Sequence, residues 1–531
     1  MPVPPVPVGA LSRRNFLLVG AAAVALPVLP TARAAAAATP RALGDPFTLG
    51  VASGDPTADG VVLWTRLAVD PLAEDGRGGM PSRVYDVQWE LATDDRMRNV
   101  VRRGTATARP GSAHSVHVLL SGLEPGREYS YRFRVGPHVS PVGRTRTAPA
   151  ARSLVPFTMA VASCAQYEHG WFTAYRRLAE DQPDLVLHLG DYFYEYKARD
   201  YVVDGGNVRD HAGPETTTLA GYRQRHAQYK ADPDLQAAHA VAPWVPVWDD
   251  HETENNWADE VPEDGQPLAA FRRRRAAAFQ AYYENMPLRP GSRPAGVDLQ
   301  LYRRLHWGRL ATFHMLDTRQ YRSDQACGDG LQADCDQRLS RERSITGAAQ
   351  ERWLLDGLGA SDATWDVLGQ QVFFSKSDYD PSDTELYNMD AWDGYVASRN
   401  RIVRGLQSRA VANPVVLTGD IHSSWANEIK ADFADPSSRT VGVELVTTSI
   451  TAGGDGADTP SFGPGTLAAN PHIKYAGDRR GYLRARVTGS ELRADFRALP
   501  RVSQPGAEIS TQASFVVQAG QPGLDQATAG I

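Results

Sequence analysis

Residues 184–194 read Asp-Leu-Val-Leu-His-Leu-Gly-Asp-Tyr-Phe-Tyr (DLVLHLGDYFY). The apolar run has strand length, shows no polar alternation and stops at a Gly-Asp pair, the pattern of a strand buried on both faces that ends in a turn. Such strands belong to layered α/β folds, where more of them should recur between helices. FTMAVAS (157–163), WVPVWD (244–249), LATFHMLD (310–317), WDVLGQQVFF (365–374), PVVLTGD (414–420) and GVELVTTS (442–449) repeat the pattern. Helical patterns cover 171–181, 218–229, 268–284, 348–358 and 395–408. Tyr482–Val487 and Leu492–Arg497 alternate as a closing antiparallel pair. His188 lies inside its apolar strand and reads as a core residue.

The texture changes on either side of this α/β domain, which spans 150–503. From 46 to 149, segments such as VVLWTRL, YDVQWELATD and YSYRFRV are separated by Gly, Pro and Asp turns with no helical period, which predicts a β-sandwich domain. Within it Gly122-Leu-Glu-Pro-Gly-Arg-Glu-Tyr-Ser-Tyr131 resembles the corner of fibronectin type III domains, where a tyrosine hydroxyl bonds back to the backbone just upstream. It has no obvious set of exposed aromatics, so its expected role is scaffolding. Residues 504–531 are rich in Gly, Gln, Ala and Ser and read as a tail that wanders or drapes over the surface.

The first 34 residues read as an export signal. Arg13-Arg14 directly precede the apolar run Phe16–Leu29, and Ala32-Arg33-Ala34 supplies a small-x-small cleavage site, the layout of a twin-arginine leader. Residues 35–45 then form a linker. The reading implies the twin-arginine export machinery as a partner, a secreted or cell-wall-associated product, and no stable membrane insertion. A formal charge of −6, made more negative by removing the leader's arginines, argues against nonspecific nucleic-acid binding. The run Arg272–Arg275 lies in a helix and reads as a solvated face paired with the acids of 259–264. Monomer is the default state. Of three cysteines, Cys327 and Cys335 share one polar loop and are the expected disulfide. Cys164 is left over.

Chemistry gathers just after the strands. Cys164 follows the first; Gly190-Asp191-Tyr192-Phe193-Tyr194 follows the second; Asp249-Asp250-His251-Glu252-Thr253-Glu254-Asn255-Asn256 follows the third; Gly419-Asp420-Ile421-His422 follows the sixth. In layered α/β folds ligands bind beyond the carboxyl ends of strands, so these groups can meet. Any one of them alone has an ordinary structural explanation; a shared metal centre explains them together. A phenolate from Tyr194 suits Fe(III), and a thiolate from Cys164 adds covalency. Asp191, Asp250, Asn255 and Asp420 supply oxygens preferred by Ca²⁺, Mg²⁺ or Mn²⁺.

Asp191-x-x-Tyr194, the Asp250-His251 step and Gly419-Asp420-x-His422 resemble the dispersed motifs of the calcineurin-like and purple acid phosphatase superfamily. With Ser163-Cys164, the block Trp248–Trp257, Asp317-Thr-Arg-Gln-Tyr-Arg322, the sandwich and the leader, the resemblance narrows to the alkaline phosphatase D (PhoD-like) family. It implies a layered α/β metallophosphoesterase sandwich preceded by a small all-β, fibronectin type III-like domain. It also implies Fe(3+) held by Cys164, Asp191, Tyr194 and His422. Ca(2+) would lie beside it, bridged by Asp191 and held by Asp420 and an Asn or Asp of the 249–256 block; Asp250, Asn255 and Asn256 all stay open for that place. His251 is the candidate to contact phosphate or protonate the leaving oxygen, and Arg319 a candidate phosphate contact, with pairing to a nearby acid as its alternative.

The function so implied is hydrolysis of phosphate monoesters, diesters or both by a metal-activated hydroxide. The alternatives are a secreted calcium-dependent phospholipase D without the His-x-Lys motif, and a non-catalytic metal-binding or adhesion protein.

Overall fold

A computed structural model describes residues 43–529, apart from 264, 381, 383, 436, 461 and 462. The leader expected at 1–34 lies outside the described residues, as does most of the linker. Two sheets lie face to face. At the centre of the ten-stranded sheet Phe157–Ala162, Leu185–Leu189 and Pro243–Val247 run parallel, with Leu187 opposite Val161 on one side and Val245 on the other. In the seven-stranded sheet Ala311–Met315, Trp365–Gly369, Pro414–Thr418 and Thr440–Val446 run parallel. Every residue of 185–189 is buried, because one face of its sheet packs on helices and the other on the second sheet. The Phe157 ring meets Trp307 at 5.2 Å and Phe313 at 6.1 Å across that interface. His188 is a core residue, stacked on Trp244 and bonded through Nε2 to the Tyr175 hydroxyl at 2.9 Å.

The segment 46–149 is all-β, and its Tyr129 hydroxyl accepts a hydrogen bond from the Glu124 N–H at 3.1 Å, the expected corner. One of its sheets is not separate, however. Val51–Thr57, Gly60–Arg66 and Ser115–Leu120 extend the ten-stranded sheet, Ser53 pairing in parallel with Pro243, while Tyr85–Ala92, Val100–Ala108, Glu128–Val135 and Gly143–Arg146 build a sheet of their own.

Three expectations need correction. The tail after 504 does not wander: Ser510–Gln518 and Gln521–Ala529 are the last two strands of the ten-stranded sheet beyond Glu491–Ala498. Its small and polar average composition concealed the apolar alternation Ala513, Phe515, Val517, all buried. The arginine run is only partly a solvated face. Arg272 pairs with Glu260 at the surface, whereas Arg274 is buried against Glu254 and Glu215, and Arg275 is buried over the rings of Trp257 and Phe279. The strand read as 365–374 ends at Gly369. Strands Arg303–Trp307, Ser424–Lys430 and Ile473–Gly477 and the helix Pro233–Val241 were not foreseen. The Cys327–Cys335 disulfide is formed.

Candidate metal centre

The strand ends meet because the chain turns sharply at each. Cys164, Asp191, Asp420 and His422 all take left-handed backbone, with φ of 58°, 51°, 67° and 56°. Each such residue costs about 1–3 kcal/mol and is retained only where its surroundings hold it, which concentrates such strain at functional sites. Gly190 allows two of the ends to touch, since a Cβ there would stand 2.6 Å from the Asp249 nitrogen. That contact sets Asp191 beside the Asp249-Asp250-His251 turn.

Three groups of donors result: Cys164, Asp191 and His422; Asp191, Asp250 and His251; and Asp249, Asp250 and Asp420. Within each, one donor atom per residue lies within 4.8 Å of the others. Asp191 belongs to two groups and Asp250 to two, so the sites interlock. The Tyr194 hydroxyl joins the first, donating to Asp191 Oδ2 at 3.0 Å and lying 2.9 Å from His422 Nε2. Asp191 Oδ1, Asp249 Oδ2 and Asp250 Oδ1 are buried without any hydrogen-bond partner. Orphaned carboxylate oxygens carry a large desolvation cost unless something positive takes them up. The donor set, a thiol, a phenol, an imidazole and several carboxylates, fits a hard, highly charged ion beside an oxygen-loving divalent one.

The electrostatics have the same origin. Burial, and then neighbouring acids, hold Asp191 and Asp420 well above the ordinary carboxylate range and the Cys164 thiol and Tyr194 phenol well above theirs. Burial pushes His422 down to about 3. It would push His251 down too, but Glu195, Asp250 and Asp191 together outweigh it and hold His251 well above its usual value. His251 Nδ1 lies 2.8 Å from Glu195 Oε2, leaving Nε2 for the cavity.

Several supporting residues were not foreseen. Glu252 accepts backbone N–H groups from Asp191 at 3.1 Å, Tyr192 at 2.7 Å and Asp249 at 2.9 Å, fastening two strand ends with one buried carboxylate. Glu195 accepts from Asn255 N–H as well as facing His251. Arg480 donates to the carbonyls of His422 and Gly454. Glu252 sits inside a motif already singled out and Glu195 one residue beyond another, and only their burial separates them from surface acids; Arg480 and Asp390 carried no signal.

A cavity of about 360 Å³ opens onto the site. His251, Asp191, Asp250, Asp420 and His422 form its floor, and Asn255 and Asn256 line it as well. Asn256 donates from Nδ2 to Asp329 of the disulfide loop at 2.8 Å, and its N–H donates to Asp250 Oδ2 at 2.8 Å; Asn255 Nδ2 donates to Glu263. Both amides are therefore engaged with acids. Arg319 does not line the cavity. It is wholly buried, donating to Asp249 at 2.5 Å and in a fork to Asp390 at 2.8 and 2.9 Å, so its acid-pairing alternative is the one that the geometry matches. Wider clefts elsewhere hold none of these donor groups.

Comparison with known proteins meets this geometry. The PhoD-like phosphatase model matches residues 159–496, and the model of the PhoD-like phosphatase N-terminal domain matches 32–149. The chain belongs to the PhoD-like phosphatase family. It is 53% identical over 488 residues to alkaline phosphatase D of Bacillus subtilis (strain 168), covering 92% of this chain and 83% of that one. A solved structure of PhoD superposes with a TM-score of 0.90 at 52% identity, covering 93% and 94% of the two chains. A purple acid phosphatase, PPD1 of yellow lupin (Lupinus luteus), shares the fold at a TM-score of 0.53 and 13% identity, over 88% of this chain and 74% of that one. As a PhoD-like phosphatase, the chain is a hydrolase of phosphoric esters, and the all-β segment before its catalytic sandwich is the family's N-terminal domain. Among the described residues no helix is long and apolar enough to cross a membrane.

Proposed function

We propose that this phosphatase is an exported, metal-dependent enzyme of alkaline phosphatase D type that hydrolyses phosphate monoesters and diesters. The observation that carries the metal reading is the set of three buried, unpartnered carboxylate oxygens on Asp191, Asp249 and Asp250 within interlocking donor groups. Cys164, Asp191, Tyr194 and His422 would hold Fe(III); Asp191, Asp250 and Asp420, with Asn255 or Asn256, would hold Ca²⁺ beside it. When bound, the two cations neutralise the substrate phosphate and lower the pKa of an attacking water. Export rests on the twin-arginine leader.

The chain's own residues supply orientation and a proton. Glu195, bonded to Nδ1, favours the protonated form of His251 and leaves Nε2 to hydrogen-bond a phosphoryl oxygen of the substrate and donate its proton to the departing alkoxide oxygen. Asn255 and Asn256 border the same cavity beside the substrate. Arg319 acts from behind, through the carboxylates it pairs with.

The test is elemental analysis and a visible spectrum of protein purified without chelator, with rates on p-nitrophenyl phosphate, bis-p-nitrophenyl phosphate and phosphatidylcholine. Iron and calcium, a charge-transfer band and turnover of the two small esters are expected. His251→Asn should keep both metals and lose about 10²–10⁴-fold in rate. Colourless zinc protein would refute the metal assignment, and strong lipid turnover with negligible monoesterase would replace the substrate reading with a calcium-dependent phospholipase D.

A further inference from the structure

The side chain beneath the candidate centre with the most unusual company is Asp390, in the loop after the short strand Tyr387–Asn388. It is buried and accepts both terminal nitrogens of Arg319, at 2.8 and 2.9 Å, together with Arg322 at 2.5 Å and Gln325 Nε2 at 2.8 Å. Arg319 in turn reaches three further carboxylates. Its Nε donates to Asp249 at 2.5 Å, but its Nη2 stays 3.5 Å from Asp250 Oδ1 and 3.9 Å from Asp420 Oδ1. Asp250 Oδ1 is one of the buried oxygens with no hydrogen-bond partner.

A fully buried guanidinium therefore stands next to an orphaned carboxylate oxygen and does not bond to it. A closer approach of under an ångström would give a normal charge-assisted bond of 2.7–2.9 Å, so distance alone is a weak obstacle. What opposes the approach is position: the bidentate grip of Asp390 takes one N–H from each of Nη1 and Nη2 and holds the rigid fork back, although Nη2 keeps a second N–H.

We propose that Asp390 is a positioning residue for the metal centre: it restrains Arg319 so that Asp250 and Asp420 remain available to a divalent cation instead of closing onto the guanidinium. This rests on the reading of those carboxylates as cation ligands. Asp390 does not line the cavity and acts through Arg319. Without the grip, Arg319 becomes an internal competitor for the cation.

The proposal predicts an unusual sign in a double-mutant cycle. The proteins are dialysed as purified against graded free calcium, and bound calcium is measured by elemental analysis, with circular dichroism and thermal unfolding to establish folding. Asp390→Asn should bind calcium at least tenfold more weakly than wild type. Asp390→Asn combined with Arg319→Gln should recover most of that loss, because the competitor is gone while the glutamine amide still donates to Asp249. A buttress with a merely structural role makes the double variant equal to or worse than the single one, and that result overturns the proposal, as does wild-type calcium binding in Asp390→Asn. Should Asp390→Asn fail to fold, Arg319→Gln alone decides: retained calcium supports the proposal, and an emptied site in folded protein overturns it. Wild-type protein that binds no calcium at any concentration removes the underlying metal reading, an outcome distinct from either mutant result.

Discussion

Replacing Phe515 by alanine tests whether the C-terminal hairpin is part of the fold. Phe515 is 1% exposed and packs on Tyr475 at 6.0 Å and edge-on to Phe496 at 6.1 Å, with Ala513 and Val517 buried on the same face. Truncating a buried Phe to Ala costs about 3–5 kcal/mol, and the edge-to-face pair, worth about 0.5–1.5 kcal/mol, favours the upper part of that range. Against a total stability of about 5–15 kcal/mol the loss is a large fraction. Guanidinium unfolding followed by tryptophan fluorescence should show it, with Val516→Ala, at a half-buried position on the opposite face, losing much less. No hairpin residue lines the cavity, so kcat below the unfolding transition should match wild type. A loss under about 1 kcal/mol would refute the packing argument and return the segment to a loosely held tail.

Three other outcomes are expected. Glu252→Gln keeps the shape but turns an N–H donor toward one of three backbone N–H groups; it should lose about 1.5–3 kcal/mol and at least tenfold in kcat/KM, seen by denaturation and steady-state kinetics. Cys164→Ser should fold and export, yet hold iron poorly and lose activity; full iron and full rate would return Cys164 to a small apolar filler. Burial, with a smaller contribution from Lys230, holds His188 down to about 3, so it is neutral in the folded protein while the unfolded chain binds a proton near the ordinary value. Its contribution is complete above about pH 6.5 and falls away as pH drops toward 3, by about 1.4 kcal/mol per unit in that window. His188→Gln should flatten the pH dependence of urea stability between pH 6 and 4 by about one proton; an unchanged slope would show that His188 is not the group responsible.

Much of the architecture was legible because buried parallel strands announce themselves locally. Asp184–Gly190 needed only its own composition, and the motifs after four strands pointed to one crevice without any contact being known. What stayed hidden depended on partners far away in sequence. Phe515 sits in a segment whose average is polar, and its burial is decided by Glu491–Ala498 alongside it. Arg274 and Arg275 look like surface charge until Glu254 and Trp257 fold over them. Arg319 was visible as a cation near the site, but its direction was not. The acid that grips its two terminal nitrogens is 71 residues further on, in a loop with no recognisable motif.

The left-handed turns at Cys164, Asp191, Asp420 and His422 also determine how this centre should be dissected. At an ordinary position alanine is the neutral way to delete a side chain. Here alanine keeps the unfavourable backbone while removing whatever compensated it, whereas glycine removes the side chain and relaxes the turn together. Paired glycine and alanine variants at each of the four positions would separate two quantities that a conventional alanine scan merges. Their difference reports the conformational energy stored in the turn, and what glycine fails to restore reports the loss of the donor atom itself.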